Sequence, residues 1–241
     1  MTALRILVAA DLAAPSFDAT WRAMQLAATL RARVTVLHVL ELAEHWPGSR
    51  TWSDARTAEL THELERRLAR LVAQAPGEAA SVVPSLRVVV GRPDDRIAAA
   101  AEDADLLVLA PYGDSGVAGK VLGSTTSRLV RRSRIPVLVV RTLPTEAYRR
   151  VLVATDFSTQ SAAALAWVRV LAPGADIVLL HAAELPHLGR MMLADVAPDA
   201  LREYEEEEHA LAVAQLARVV REAGLDPARV RCVVRSVAAW E

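Results

Sequence analysis

Short apolar runs alternate with amphipathic stretches along the first 141 residues. Residues 5–10, 34–40, 86–90, 106–110 and 135–140 are mainly Val, Leu, Ile and Ala and of strand length, with Arg5, Thr35, His38, Arg87 and Pro136 among them. Continuous apolar runs of this kind suit strands buried on both faces. Between them lie segments of helical spacing: 16–30, with Phe17, Trp21, Met24 and Ala28; a stripe through Leu60, Leu64, Leu68 and Leu71; 94–101; and 125–132. Strands separated by helices predict βαβ units, hence an α/β fold with a doubly wound parallel five-stranded sheet. Ligands of such sheets sit at the carboxyl ends of the strands.

After Arg141 the pattern restarts. RVLVATD at 150–156 repeats RILVAAD at 5–11, Val178 to His181 repeats the strand around Leu37 and His38, and a long helix at 198–223 repeats the Leu60 to Leu71 helix. This predicts a duplication: a complete domain at 1–141, a linker at 142–149 containing Pro144, and an incomplete second copy at 150–241. A third strand is expected at 229–237, with no fourth strand, glycine loop or fifth strand after it.

Composition narrows the function classes. A hydrophobic content of 53% allows a large core, and a formal net charge of −1 argues against general affinity for nucleic acid. The N-terminus enters a strand directly, without the order of a signal peptide, and no apolar run reaches the ~20 residues of a membrane span. Cys232 is the single cysteine, which excludes an internal disulfide. The expected setting is the cytoplasm, with neither membrane nor nucleic acid as partner.

The chemistry gathers at 111–124. This stretch follows a buried-type strand, contains Gly113, Gly116, Gly119 and Gly123, and ends on Gly-Ser at a helix start. Backbone N–H groups approach a phosphate closely where no Cβ intervenes, and the helix N-terminus adds positive potential. The N–H groups of Ser124 and Thr125 are candidate phosphate donors. Lys120, the only lysine in the chain, is a candidate contact, set against the blander reading of an exposed loop lysine. Asp11, at the carboxyl end of the first strand, can accept hydrogen bonds from two vicinal ribose hydroxyls. GDSG at 113–116 matches a serine-protease string but sits in a βα loop of the wrong fold class. The loop also misses the Walker A spacing by one residue, with Val121 where Ser or Thr would bind magnesium. His38 and His181 occupy matching strand positions and read as packing or hydrogen-bonding residues rather than metal ligands. Glu205 to Glu208 read as a solvated helix face, Trp21 and Trp167 as core, and Asp156, with Ser158, as a cap for the helix beginning near Gln160.

Both halves resemble universal stress protein domains, and the chain is similar to tandem members of that family. The family signature is Gly-x2-Gly-x9-Gly-Ser/Thr; APYGDSGVAGKVLGS at 110–124 matches it at Gly113, the nine-residue spacer, Gly123 and Ser124, with Ala110 in place of the first glycine. The resemblance implies strand order 3-2-1-4-5, an adenine nucleotide such as ATP, alone or with Mg, and contact of Asp11 with ribose and of Val39 main chain with adenine. It also implies that the fifth strand pairs with its counterpart across a dimer or between tandem repeats; with no tandem partner strand expected, a homodimer through Ile135 to Arg141 is the expectation. Ala110 adds a methyl at the floor of the site and Pro111 removes a donor, which predicts weaker binding than in the family's best binders. The expected function is stress response or regulation through one nucleotide site, with at most slow hydrolysis, because no general base or metal cluster accompanies the loop. The alternatives are an interaction protein of the same family that does not bind nucleotide, and a hydrolase or nucleotidyl transferase whose catalytic set is not found.

Overall fold

The computed structural model describes residues 3–41, 54–113, 122–143, 146–185, 191, 193–194 and 196–237. The chain divides into two compact units, Met1–Thr145 and Glu146–Glu241. In the first, β1 (Arg5–Ala9), β2 (Arg33–Leu40), β3 (Ser85–Val90), β4 (Leu106–Leu109) and β5 (Val137–Val139) form one sheet in the order β3-β2-β1-β4-β5. All four pairings are parallel, as the alternation of strands and helices predicts. The crossovers run through α1 (Ala14–Leu30), α2 (Asp54–Ala73), α3 (Pro93–Ala101) and α4 (Ser124–Arg132).

The central strands are apolar at consecutive positions because both of their faces are covered. Leu7, Leu37, Leu107 and Leu109 pack against Ile97 and Ala101 of α3 and Leu129 of α4. Each fully buried leucine contributes about 1.5–3 kcal/mol. Asp94, nearly buried in the first turn of α3, reaches Arg128 of α4 at 3.3 Å, and Asp95 reaches Arg132 at 3.7 Å. These pairs tie α3 to the helix that opens beside the candidate site.

Element ends differ from the sequence pattern for local reasons. α1 starts two residues before 16 because Pro15 occupies its first turn, where a missing N–H costs nothing. β5 is confined to 137–139: Pro136 has no N–H to donate, and its carbonyl accepts the Leu107 N–H at 3.0 Å. Along α2 the leucine stripe passes from half-buried at Leu60 and Leu64 to buried at Leu68 and Leu71. The indole N–H of Trp21 donates to the Leu71 carbonyl at 3.3 Å. A 3-10 turn at Gly77–Ser81, without signature in the hydrophobic pattern, buries Ala79 against Met24.

The second unit contains β6 (Arg150–Ala154), α5 (Thr159–Leu171), β7 (Asp176–Glu184), α6 (Pro198–Glu222) and β8 (Val230–Val237). Its parallel sheet has the order β6-β7-β8, the incomplete repeat that the sequence implied. Val153, Ile177 and Leu179 pack on Leu165 of α5 and on Leu216 and Val220 of α6. The opposite face is open at β6. Leu152 is 63% exposed, whereas Leu7, its counterpart in the first unit, is 3% exposed.

Candidate functional site

β1 ends in a turn that the second unit repeats. The Asp11 carboxylate accepts the Ala13 N–H through Oδ1 at 3.0 Å, and Leu12 between them lies in the left-handed region at φ 66°. In the second unit the Asp156 carboxylate accepts the Ser158 N–H at 3.0 Å around Phe157 at φ 63°. His38 and His181 also serve matching roles. Their Nδ1 atoms lie 2.7 Å from the Ala10 carbonyl and 2.8 Å from the Thr155 carbonyl, so each is a strand-end hydrogen-bonding residue.

The carboxyl ends of β1, β2 and β4 and the start of α4 surround a cavity of about 600 Å³. Asp11, Val39, Ala110, Gly113, Gly123, Ser124 and Thr125, all singled out from sequence, line it together. Lys120, with Gly116 and Gly119, lies outside the described residues. The lining also includes residues the sequence reading did not select for a site: Ser16, Glu41, Pro93, Tyr112 and Thr126. Tyr112 was legible as the residue between Pro111 and Gly113; Glu41 and Pro93 come from strand-end segments without a recognisable motif. Among the described lining residues the carboxylates are Asp11 and Glu41, and no arginine or lysine is present.

The base of the loop is fastened twice. The Gly123 N–H donates to the Pro111 carbonyl at 2.7 Å, and the Thr126 hydroxyl donates to the Ala110 carbonyl at 2.9 Å. Gly123 caps α4 with no side-chain acceptor, and the first turn carries no acidic residue. The leading N–H groups of α4 therefore keep their donor capacity and the positive end of the helix dipole. Neither Gly113 nor Gly123 has positive φ; both are needed for close approach. A Cβ on Gly113 would strike Asp11 Oδ2, and one on Gly123 would lie 3.2 Å from Tyr112 Cα and 3.6 Å from the Pro111 carbonyl oxygen. Ala110 is likewise outside the left-handed region, so its methyl stands on the cavity wall without backbone strain.

At the repeated turn, Asp156 sits with Ser158, whose hydroxyl accepts the Ser161 N–H at 3.2 Å and caps α5. Hydrogen bonds from the side chain and then the backbone of Ser158 lower the Asp156 pKa to about 2. Because the folded value is depressed, the stabilisation is complete above the ordinary carboxylate range near ~4 and is lost as pH falls through about 2. Carbon-13 NMR of the carboxyl group is expected to place its midpoint there. A midpoint in the ordinary range would remove the Ser158 bonds from the solution structure.

A family model described as the universal stress protein family matches residues 3–141 and again 147–241. The chain belongs to the universal stress protein family. Its tandem arrangement is the two successive matches. A universal stress protein of Mycobacterium tuberculosis is 41% identical over 58 residues, which cover 23% of this chain and 40% of that protein. A solved universal stress protein from Archaeoglobus fulgidus aligns over 99% of this chain and 80% of its own, at 19% identity and a TM-score of 0.67, a likeness of fold. Another from the same organism, in complex with dAMP, is 20% identical with a TM-score of 0.41, covering 58% of this chain and all of its own. Among the described residues, no helix is long and apolar enough to cross a membrane, and no three His, Cys, Asp or Glu side chains gather to hold a metal ion.

Proposed function

We propose that residues 1–141, within the first unit, bind one adenine nucleotide in this cavity and that the chain acts in stress response or regulation in the cytoplasm. The reading rests on one observation: a ribose-type acceptor (Asp11), a strand end able to meet a base (Val39) and uncapped N–H groups of α4 (Ser124, Thr125) border the same space of about 600 Å³. In this arrangement the ribose hydroxyls donate to the Asp11 carboxylate. The α4 N-terminus and the Ser124 hydroxyl hold phosphate, and Gly113 and Gly123 let the chain pass close by. Lys120, outside the described residues, stays a candidate phosphate contact set against the reading of an exposed loop lysine. Mg would arrive on the nucleotide's own phosphate oxygens. Asp156 serves its local turn, and residues 150–241, after the linker 142–149, have a structural or interaction role.

Isothermal titration with ATP, ADP, AMP and cyclic AMP tests the site, with about one nucleotide bound per chain as the expected result. Asp11→Ala is expected to weaken nucleotides that carry both ribose hydroxyls more than their 2′-deoxy analogues. Equal losses for the two sugars would take the ribose role away from Asp11. No binding of any of the four would favour the second reading, an interaction protein without nucleotide, for which the Ala110 methyl and the carboxylates of Asp11 and Glu41 in the lining speak. The same proposal assigns the outer edge of β5, within Ile135 to Arg141, to a homodimer: it is the last strand of the five-stranded sheet and is half-buried along its length.

A further inference from the structure

The open edge of the second unit carries an arrangement that nucleotide binding does not use. In the β6–β7 ladder the Arg149 carbonyl accepts the Asp176 N–H, and the Thr155 N–H donates to the Leu180 carbonyl. Backbone groups alternate in direction along a strand, so the N–H and C=O of Arg150, Leu152 and Ala154 point away from β7. In the first unit the equivalent edge of β1 is taken by β4, which Asp105 leads in. Its N–H donates to the Arg5 carbonyl at 2.8 Å, and its carboxylate accepts the Arg5 N–H at 2.8 Å and pairs with the Arg5 guanidinium at 3.2 Å. Among the described residues, no strand stands beside β6. The strand itself, RVLVA, has no proline or lysine to blunt the edge, and it exposes Leu152.

Charge decides what fits. β6 has Arg150 at its start and Asp156 just beyond its end, with an apolar centre. We propose that β6 pairs antiparallel with β6 of a second copy about a twofold axis at Val153, placing Arg150 opposite Asp156 and Leu152 opposite Ala154 at both ends of the contact. All the outward N–H and C=O groups then meet outward groups of the other chain. Each arginine gains a carboxylate as Arg5 does from Asp105, and the pairing closes on itself as an isologous contact. A parallel pairing would set Arg150 beside Arg150. The contact is independent of the nucleotide reading and separate from β5.

Both edges are tested together by sedimentation velocity of the full chain. Leu152→Lys changes an exposed side chain and is expected to leave the circular dichroism spectrum unchanged while placing two ammonium groups at the axis. With both edges active, the wild type assembles beyond the dimer; Val139→Lys leaves dimers through β6, Leu152→Lys leaves dimers through β5, and the double variant is monomeric. If the β5 reading alone fails, Val139→Lys has no effect and Leu152→Lys still takes dimers to monomers. If Leu152→Lys leaves the mass unchanged in the Val139→Lys background, the β6 proposal is overturned. Geometry is read separately with Leu152→Cys in a Cys232→Ser background. The two thiols lie diagonally across the axis at about 7–8 Å, so a short bifunctional thiol reagent is expected to join the chains. Dimers that resist it would place the contact elsewhere.

Discussion

Residues 145–241 produced alone are expected to show no cooperative melt and a poorly dispersed proton NMR spectrum, or to aggregate. Residues 1–141 are expected to fold, bind nucleotide and be at least as soluble as the whole chain. The contrast follows from how the two sheets are covered. In the first unit β1 and β4 lie inside the sheet, and Leu7, Leu37 and Leu107 are closed over by α3 and α4. In the second, α5 and α6 supply one core face through Leu165 and Leu216, while Leu152 stands 63% exposed beside an open edge. A three-stranded parallel sheet of this size is marginal by itself, because parallel sheets are stable when both faces are buried. Thermal melting and NMR of the two fragments decide the matter. A sharp transition with a dispersed spectrum for 145–241 would show that the second unit closes its own core.

Gly123→Val is expected to weaken nucleotide binding by roughly tenfold or more, about 1.4 kcal/mol. The Cβ that the substitution adds points at the Tyr112 backbone, 3.2 Å from Cα. That contact is with main chain, so relief requires moving 111–113 away from 123. The movement breaks the 2.7 Å bond from the Gly123 N–H to the Pro111 carbonyl and turns the first N–H groups of α4 away from the cavity. Gly123→Ala is the graded control, because a lone methyl at this distance asks for a shift of only a few tenths of an ångström. Titration with the nucleotide that the wild type binds best checks both variants. Unchanged affinity for Gly123→Val would show that the loop base does not position the donors.

The sheet was legible because its strands advertise burial on both faces: Leu106 to Leu109 is apolar without interruption and buried throughout. The restart at RVLVATD was legible for the same reason, and the structure places its Asp turn and histidine as it does those of RILVAAD. What the pattern did not contain was set by groups that periodicity does not register. Pro15 moves the start of α1, Pro136 shortens β5, and the turn at Gly77–Ser81 is held by hydrogen bonds and one small buried side chain. At the site, spacing placed Gly113 and Gly123, whereas Tyr112, Glu41 and Pro93 enter the lining because of how three strand ends converge. Convergence is a property of the tertiary fold and leaves no trace in any single segment.

Leu12 and Phe157 give both strand-to-helix turns a mechanical character. A bulky residue in the left-handed region costs about 1–2 kcal/mol, and its allowed backbone space elsewhere lies far off, in the β and right-handed wells. Such a turn does not bend by degrees as a glycine hinge does; it stays set or it snaps out. While Leu12 is set, Oδ1 of Asp11 is committed to the Ala13 N–H and Oδ2 faces Gly113, so the carboxylate enters the cavity with its plane fixed. Release of Leu12 would give up the Ala13 N–H bond and the orientation of the carboxylate together. The acceptor that the first unit offers at the end of β1 is therefore latched into place, present as a whole or absent as a whole.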